Sequence, residues 1–330
     1  MAEKSPRLRL YDGEKAKQIN EETLRLWKKY QIDMELRGLS EKTQEAYQSD
    51  LFQWWIYVLD NQDNKSITEL NEDDLTEFFY YCRKYGNNSR RLRRRMSSVA
   101  ALYKFLRKKK LITENPMDYL DRPSKDTDVL VQTYLTEEQV AEIKKKLADI
   151  IASDSITDNQ RHQWMTLRAY ALFSLSTMAR VNAVRGVTWK QIDFENRVAS
   201  QVVEKEGYIV DLYFSKETKS VLEELKKYRE DNGIDDGGYL FVTKFNDEYG
   251  MPTVTTLNMW CKKIGNLIGV ETLHPHDWRH SAATLLKNRG MALEDVSALL
   301  HHSGTDVTRK HYIKEDTKKL QSAKDDFEAF

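Results

Sequence analysis

Cysteine, proline and glycine are scarce in this chain, with 2, 5 and 13 residues among 330. Because Cys82 and Cys261 are far apart and form no motif, a disulfide framework is excluded and a reducing compartment fits. The chain also lacks low-complexity tracts, which argues against disorder. No run reaches the ~18 apolar residues of a membrane-spanning helix, and the first residues lack the apolar segment of a signal peptide. We therefore expect a cytoplasmic protein without a membrane partner.

An excess of charge of either sign is also missing, since 52 basic residues balance 52 acidic ones. A global positive charge that would attract nucleic acid is thus excluded, and any such affinity must come from the local distribution of charge. The length corresponds to about two domains and is sufficient for each to bury a core.

Apolar residues recur at helical spacing along the first third of the chain. The pattern predicts helices over 21–35, from Ser40 onward, and from Asn71 to about Gly86. Tryptophans on such a stripe are most often core residues, so we interpret them as packing. The stripe of the second helix consists of Tyr47, Leu51, Trp54, Trp55 and Val58.

Residues 87–110 form the most unevenly charged segment, with ten basic residues and no acidic one. Apolar residues keep helical spacing within it, so a folded helix with a positive face is predicted rather than a basic tail. A solvated surface is one explanation for such a face. Acidic partners at i,i+4 are missing, however, which favours contact with a phosphate backbone. The candidate DNA-binding residues are Arg90, Arg91, Arg93, Arg94, Arg95, Lys104, Arg107 and Lys108.

A change of pattern after residue 120 predicts a domain boundary. Residues 121–134 contain Pro123 and no apolar period, and Thr136–Gln139 then matches a capping box that starts a new helix. We therefore divide the chain into a flexible tail (1–20), a helical domain (21–120), a linker (121–134) and a second domain (135–330).

The second domain is predicted to combine helices with a small antiparallel sheet. An apolar stretch at 164–178 indicates a buried helix, and residues 197–214 indicate two strands joined by a turn. Gly237–Thr243 is a possible third strand, and the remainder from Val254 is predicted to be helical with a break at Pro275. Strands and helices do not alternate as a parallel sheet requires. The expected fold class is mainly α, with a mixed α/β second domain.

Six of the seven histidines lie between His274 and His311. His276 and His280 have the spacing of two zinc ligands on one helix face. No cysteine pair or carboxylate cluster accompanies them, and Arg279 between them is unfavourable beside a dication, so we expect neither a metal nor a cofactor. Taken singly, helix capping or core packing is the better explanation for His274, His280, His301 and His311.

Four segments of the second domain resemble the tyrosine site-specific recombinases, the phage-integrase family that includes the Xer and Cre enzymes. "MARVNAVRGVTWKQID" is similar to the segment with the first catalytic arginine, and "VVEKEGYIVDL" to the β-hairpin with the catalytic lysine. "HPHDWRHSAATLLKNRG" matches the His-x-x-Arg box, and "ALLHHSGTDVTRKHY" resembles the box that ends in the nucleophilic tyrosine. Residues 36–120 resemble the helical, SAM-like core-binding domain. The candidate catalytic residues are Arg180, Lys205, His276, Arg279, His302 and Tyr312.

The resemblance implies site-specific DNA recombination, for integration, excision or resolution, without metal or nucleotide. Tyr312 would attack the phosphodiester and form a 3′-phosphotyrosyl intermediate, followed by a Holliday junction. The two arginines and His302 would neutralise charge on the phosphate oxygens. His276 would accept or position a proton, and Lys205 would act as general acid for the departing 5′-alkoxide.

The sequence departs from the family pattern at three points. Ala183 stands where the family usually has an acidic residue, three positions after Arg180. His301 stands where a glycine usually precedes His302, and the interval from His302 to Tyr312 is one residue longer than in the Xer enzymes. No catalytic side chain is lost, but the carboxylate that would support Arg180 is missing from its usual position.

The resemblance also implies partners. Enzymes of this family bind paired sites in double-stranded DNA, as a homodimer on each site and a homotetramer in the synapse. A mobile element and a prokaryotic, nucleoid-associated location fit this role. The amphipathic segment after Tyr312, which ends in Phe327 and Phe330, is expected to dock on a neighbouring protomer or to pack on its own domain.

Three other functions are compatible with parts of the sequence. A catalytically silent DNA-binding protein on the same scaffold would not need all six catalytic residues. A type IB topoisomerase would share the tyrosine and the arginines but act on one site alone. A helical scaffold with a basic helix would leave the set of six residues as coincidence.

Overall fold

The structure is a computed structural model that describes residues 11–124, 134–204, 207–301 and 305. The chain divides into two compact units, Met1–Leu130 and Val131–Phe330. Each unit has a hydrophobic core of its own. Within the described ranges, no helix is both long and apolar enough to cross a membrane.

The first unit is helical throughout its described residues. Trp54 and Trp55 are fully buried, which confirms the interpretation of the aromatic stripe as core. Trp55 packs edge-on against Trp27 and Trp54 packs against Tyr103, each with ring centroids 5.8 Å apart. The elements are α1 (Gly13–Ala16), α2 (Glu21–Leu36), α3 (Glu41–Asn61), α4 (Glu72–Lys84), α5 (Ser89–Lys108) and a 3-10 helix at Pro116–Tyr119.

The segment predicted as a flexible tail differs from that prediction in its second half. α1 begins after Asp12, whose carboxylate accepts hydrogen bonds from two backbone N–H groups. Ile19 is buried, and Asn64 donates a hydrogen bond to the carbonyl oxygen of Gln18 at 3.0 Å. Residues 11–20 are therefore folded onto the first unit because caps and one apolar anchor hold them. Residues 1–10 lie outside the described residues.

The second unit combines seven helices with two small antiparallel sheets in its described part. β1, β2 and β3 form one sheet in that order, and β4 and β5 form a hairpin. The expected mainly α fold with a small antiparallel sheet is thus confirmed. The helices are α6 (Glu137–Ala152), α7 (Asp158–Thr177), α8 (Val181–Arg185), α9 (Lys216–Asp231), α10 (Val254–Leu267), α11 (Pro275–Asn288) and α12 (Leu293–Leu299), with a 3-10 helix at Trp189–Gln191. The strands are β1 (Ile192–Asp193), β2 (Val198–Val203), β3 (Ile209–Tyr213), β4 (Thr243–Phe245) and β5 (Glu248–Gly250).

The possible third strand at Gly237–Thr243 is wrong for most of its length. Gly237 and Gly238 have φ angles of 59° and 81°, so the chain turns there instead of extending. Tyr239 forms an isolated bridge with Thr188, and only the last residue, Thr243, belongs to a strand, β4. The apolar residues between them are buried in the core, which explains their strand-like composition. The third strand of the sheet is β1, whose two residues are too few for a periodic signal.

β2 contains a bulge that decides which of its side chains face the core. Between its paired positions Ala199 and Val202, β2 has one residue more than β3. Gln201 lies in this interval with a φ of 55°, and its backbone N–H donates to Asp211 Oδ1 at 3.1 Å. Because strand side chains alternate between faces, the extra residue reverses the alternation beyond it. The buried residues of this edge of the hairpin are Ala199, Val202 and Glu204.

α7 runs through the core of the second unit and ends at the candidate site. Tyr170 and Phe173 are among its many buried side chains, and the predicted buried helix is confirmed. Met178 caps the helix in the left-handed conformation, with a φ of 54°. This turn directs the chain into α8.

Candidate functional site

Arg180 is positioned by the turn between α7 and α8. It is the N-cap residue of α8, two residues after the left-handed Met178. Its side chain is 32% exposed, so the guanidinium is anchored in the protein and still reaches solvent.

The side chain of Glu204 holds Arg180 from the end of β2. Its Oε2 accepts a hydrogen bond from Nη1 of Arg180 in an ion pair, and its Oε1 lies 3.5 Å from the backbone nitrogen of Arg180. Burial by itself would raise the pKa of Glu204, but His301 and the charges of Arg180 and Arg279 lower it below its usual value. The carboxylate is therefore ionised at neutral pH and balances a cationic cluster.

Arg279 on α11 is almost fully buried, with 1% of the residue exposed. Its Nη1 donates to the carbonyl oxygen of Met178 at 2.7 Å, and its Nη2 donates to that of Leu300 at 2.5 Å. Both carbonyls lie at left-handed turns, because Met178 has a φ of 54° and His301, which follows Leu300, has a φ of 51°. Such backbone conformations cost free energy in residues other than glycine and persist where the surroundings enforce them. The two turns thus fix the guanidinium of Arg279.

His276 lies in the first turn of α11, which starts with Pro275 after the N-cap residue His274. Proline suits this position because its φ is helical and it has no N–H to satisfy. Partial burial and the charges of Arg279, His274 and Arg180 lower the pKa of His276 below its usual value. The imidazole is therefore neutral at neutral pH and able to accept a proton.

Three of the six predicted catalytic residues, Arg180, His276 and Arg279, are brought together by these elements. Arg279 bonds to the carbonyl two residues before Arg180, and both arginines contribute to the pKa shift of His276. Lys205, His302 and Tyr312, like the segment from 306 to the end, lie outside the described residues.

Glu204 and His301 are members of the cluster that the sequence did not assign to it. His301 Nδ1 lies 3.8 Å from Glu204 Oε2. The buried position of Glu204 depends on the bulge in β2, which has no signature in the residue pattern. The sequence contains one indication of such a residue, since Ala183 at the usual acidic position means that another side chain must pair with Arg180.

Metal binding has no support in the described part of the chain. No group of three or more His, Cys, Asp or Glu side chains there is arranged to hold an ion. His276 and His280, the pair with zinc-like spacing, contact each other edge to face with ring centroids 4.7 Å apart. His274 caps α11 as expected, and its backbone N–H donates to Asp277 at 2.9 Å.

The basic helix α5 has a buried arginine among its candidate DNA-binding residues. Arg95 is 1% exposed, and its guanidinium donates to Asn87 at 3.0 Å and to Gln53 at 2.8 Å. It lies three residues after Leu92 and four before Val99, on the apolar stripe of the helix. The placement of Arg95 on the basic surface is therefore corrected, since this residue belongs to the core of the first unit.

The acidic partners that α5 lacks come from elsewhere in the first unit. Arg94 bonds through both Nη atoms to the buried carboxylate of Asp50 at 2.7 Å. Arg107 pairs with Asp118 at 2.7 Å on the surface, and Arg93 donates to the carbonyl of Pro123 at 2.7 Å. Arg91 is half-buried. The exposed candidates besides Arg94 and Arg107 are Arg90, Lys104 and Lys108.

Two solved structures with a similar fold are complexes, one with DNA and one with a substrate. The chain resembles the Tn1549 transposon integrase in complex with circular intermediate DNA, with a TM-score of 0.67 and 19% identity over 90% of this chain and 98% of that one. It also resembles the XerH site-specific recombinase bound to palindromic difH substrate, with a TM-score of 0.68 and 17% identity over 96% of this chain and 90% of that one. At such identities the likeness shows the fold.

Sequence comparison identifies the family. The chain is 26% identical over 312 residues to tyrosine recombinase XerC of Pediococcus pentosaceus, covering 92% of this chain and 96% of that protein. It is 22% identical over 292 residues to tyrosine recombinase XerD of Oceanobacillus iheyensis, covering 83% and 88%. The model of the phage integrase N-terminal SAM-like domain matches residues 28–110, and that of the phage integrase family matches residues 133–319. The chain therefore belongs to the phage integrase family of tyrosine recombinases.

Proposed function

We propose that this chain carries out site-specific DNA recombination by cutting and rejoining strands through a 3′-phosphotyrosyl intermediate and a Holliday junction. The observation that carries the proposal is the pair of fixed arginines, Arg180 and Arg279, beside the neutral His276. Two guanidinium groups held by the protein are suited to a single phosphate group, and the burial of Arg279 strengthens its electrostatic attraction.

The chemistry of phosphodiester cleavage explains why the site needs these groups. Attack by an oxygen nucleophile increases the negative charge on the nonbridging oxygens of the phosphate, and fixed cationic donors stabilise that charge by ~3 kcal/mol each. Arg180 and Arg279 act in this way, with His302 as a third donor. Tyr312 attacks the phosphorus, His276 accepts or positions its proton, and the 5′-oxygen leaves.

Protonation of the leaving oxygen is assigned to Lys205. Lys205 directly follows Glu204 in the sequence that joins β2 to β3. In this scheme its ammonium donates a proton to the 5′-alkoxide, and the phosphotyrosyl bond keeps the energy of the phosphodiester for religation. No metal or nucleotide is required in this scheme.

Double-stranded DNA with paired recombination sites is the proposed partner. The exposed residues of α5 provide a basic surface for the phosphate backbone. The similar structure of the Tn1549 transposon integrase is a complex with DNA, and that of XerH is a complex with its substrate. In this assignment residues 21–120 form the core-binding domain, 121–134 the linker and 135–330 the catalytic domain. A homodimer would occupy each site, and the segment after Tyr312 would dock in trans in a tetramer.

Capture of covalent adducts tests the proposal and requires no defined target sequence. The probe is a pool of synthetic duplexes with a randomised centre, nicked so that the fragment released by cleavage diffuses away and the adduct accumulates. Wild-type protein, Tyr312→Phe and the control Tyr119→Phe, an exposed tyrosine of the first unit, are compared. We expect an SDS-resistant protein–DNA band with wild type and Tyr119→Phe, and none with Tyr312→Phe.

The outcomes separate the three functions. Sequencing of the trapped DNA gives the cognate site, and recombination between two copies of that site supports the recombinase. Relaxation of supercoiled plasmids lacking the site, without strand exchange, indicates a type IB topoisomerase. Selective DNA binding with no band in any variant indicates the silent DNA-binding protein and overturns the proposal.

A further inference from the structure

Glu204 is a buried carboxylate at the candidate site to which the proposed reaction gives no chemical step. We propose that Glu204 is the positioning residue of Arg180, which it holds in place for the reacting phosphate from the end of β2. The proposal rests on the function given above. In this role Glu204 replaces the acidic residue that the family usually has three positions after this arginine, where this chain has Ala183.

The contacts of Glu204 restrain Arg180 at two points. Oε2 pairs with the guanidinium at Nη1, and Oε1 lies 3.5 Å from the backbone nitrogen at the start of α8. The side chain of Glu204 is 2% exposed whereas that of Arg180 is 32% exposed. One side of the guanidinium is thus fixed from within the protein while the group remains accessible to a ligand.

Charge balance gives the same result. Burial of an isolated carboxylate is unfavourable, so such a group is retained where cations compensate it. Arg180 and Arg279 both lower the pKa of Glu204, which keeps the carboxylate ionised despite its burial. The negative charge of Glu204 in turn offsets part of the electrostatic repulsion between the two arginines that are proposed to bind the phosphate.

Local structure explains how Glu204, which directly follows β2, reaches Arg180 at the start of α8. The bulge at Gln201 places Glu204 on the buried face together with Val202. The backbone N–H of Glu204 donates to the carbonyl of Tyr208 at 2.8 Å, so Glu204 also closes the hairpin turn. Glu204 therefore links the connection between β2 and β3 to Arg180.

The two unusual residues near the site fit this arrangement. Ala183 is 1% exposed and brings only a methyl group to the interior beside Arg180. His301, which replaces the usual glycine despite a φ of 51°, has its Nδ1 3.8 Å from Glu204 Oε2. His301 thus lies beside Glu204, and Ala183 leaves α8 without a carboxylate of its own at the position three residues after Arg180.

The test uses the cognate duplex trapped by the wild-type protein and measures the single-turnover rate of adduct formation together with the dissociation constant for DNA. Glu204→Gln keeps the shape and removes the charge. We expect its cleavage rate to fall by about 10- to 100-fold, the range found when a residue that orients a functional group is lost. The dissociation constant for DNA should change less than about twofold, since Glu204 is not proposed to contact the DNA. Glu204→Asp should recover part of the cleavage rate.

A double-mutant cycle shows whether Glu204 acts through Arg180. Arg180→Lys with Glu204→Gln should be no slower than Arg180→Lys alone, because the group that Glu204 holds has already been lost. Multiplicative effects of the two substitutions, or a wild-type rate in Glu204→Gln, would overturn the proposal. Should Glu204→Gln fail to fold, the same cycle with Glu204→Asp decides by the same criterion. A wild-type protein that forms no Tyr312-dependent adduct contradicts the proposed function itself, which is a different result.

Discussion

Within its described residues, the second unit contains two clusters in which an arginine, a carboxylate and a histidine meet, and they differ in what is left for a ligand. In the first, Arg229 has 2% of its side chain exposed and bonds to Asp236 at 2.9 Å and to His162 at 3.0 Å. Its other donors reach Thr166 and the carbonyls of residues 239 and 240. In the second, Arg180 pairs with Glu204 and keeps 32% of its side chain exposed. The same residue types therefore form a structural crosslink in one place and an open anion site in the other.

Exposure is what separates the two clusters, and the histidines follow it. Burial and the charge of Arg229 lower the pKa of His162 to about 4, so this imidazole is a permanent acceptor for the arginine N–H. The lowered pKa of His276 has similar causes, but that residue is exposed at the first turn of α11. A neutral histidine is thus a packing device in the first case and a candidate base in the second.

Removal of Arg229 should have the largest effect on stability. Arg229→Met leaves the half-buried Asp236 without its cation, and breaking a pair with a buried member costs about 3–5 kcal/mol of the free energy of unfolding. Urea denaturation measures this loss. Lys227→Met on the same helix, which breaks an exposed pair with Asp231 at 3.3 Å, should cost less than about 1 kcal/mol. Equal losses in the two variants would show that the first cluster is no structural crosslink.

Removal of Arg180 should have the opposite signature. Arg180→Ala is expected to slow adduct formation by about 10²–10³-fold, since one donor to the transition state is lost. Its midpoint of urea denaturation should fall far less than that of Arg229→Met, because Arg180 is partly solvated. Rates are measured on the trapped duplex at saturating protein. A variant that unfolds as readily as Arg229→Met but cleaves normally would reverse the roles assigned to the two clusters.

Acid should destabilise the second unit through His162, by a smaller amount. The pKa of His162 is about 4 in the folded protein against an ordinary value of 6.5. Between these pH values His162 binds a proton in the unfolded chain but not in the folded one. The free energy of unfolding therefore falls as the pH falls, by up to about 3 kcal/mol. Well above pH 6.5 the residue is neutral in both states and contributes no pH dependence.

The variant His162→Gln keeps a side-chain acceptor and cannot titrate in this range. Urea denaturation of wild type and variant at a series of pH values between 7.5 and 4 isolates the contribution of His162 from that of other groups. We expect the wild type to lose more stability than the variant over this interval. Parallel curves for the two proteins would show that His162 is not kept neutral by folding.

Local patterns predicted most helices and the family of the chain, because a helix face or a spaced motif is written in consecutive residues. The capping box at Thr136–Gln139 starts α6 as predicted. Even the burial of Arg95 was readable, since its position falls on the stripe between Leu92 and Val99. Its charge suggested a surface role, whereas its guanidinium donates hydrogen bonds to Asn87 and Gln53, and such partners become visible only in three dimensions.

The remaining features depend on contacts between distant parts of the chain. Glu204 was not predicted as a site residue because its partner Arg180 is 24 residues away and its direction is set by a bulge. The apolar run at 240–242 has strand-like composition but is buried in irregular structure, since the glycines before it turn the chain. In each case tertiary packing overrides a local preference.

The bulge at Gln201 also makes the length of β2 a question of odd and even numbers. Deletion of Gln201 itself would remove the bulge and restore the plain alternation, with Ala199, Val202 and Glu204 still on the core face. Loss or gain of one further residue before Glu204 would instead turn the carboxylate outward. Related chains that rely on a carboxylate at this position should therefore have either this bulge or a regular strand with one residue fewer, whereas those with an acidic residue in α8 are under no such restriction.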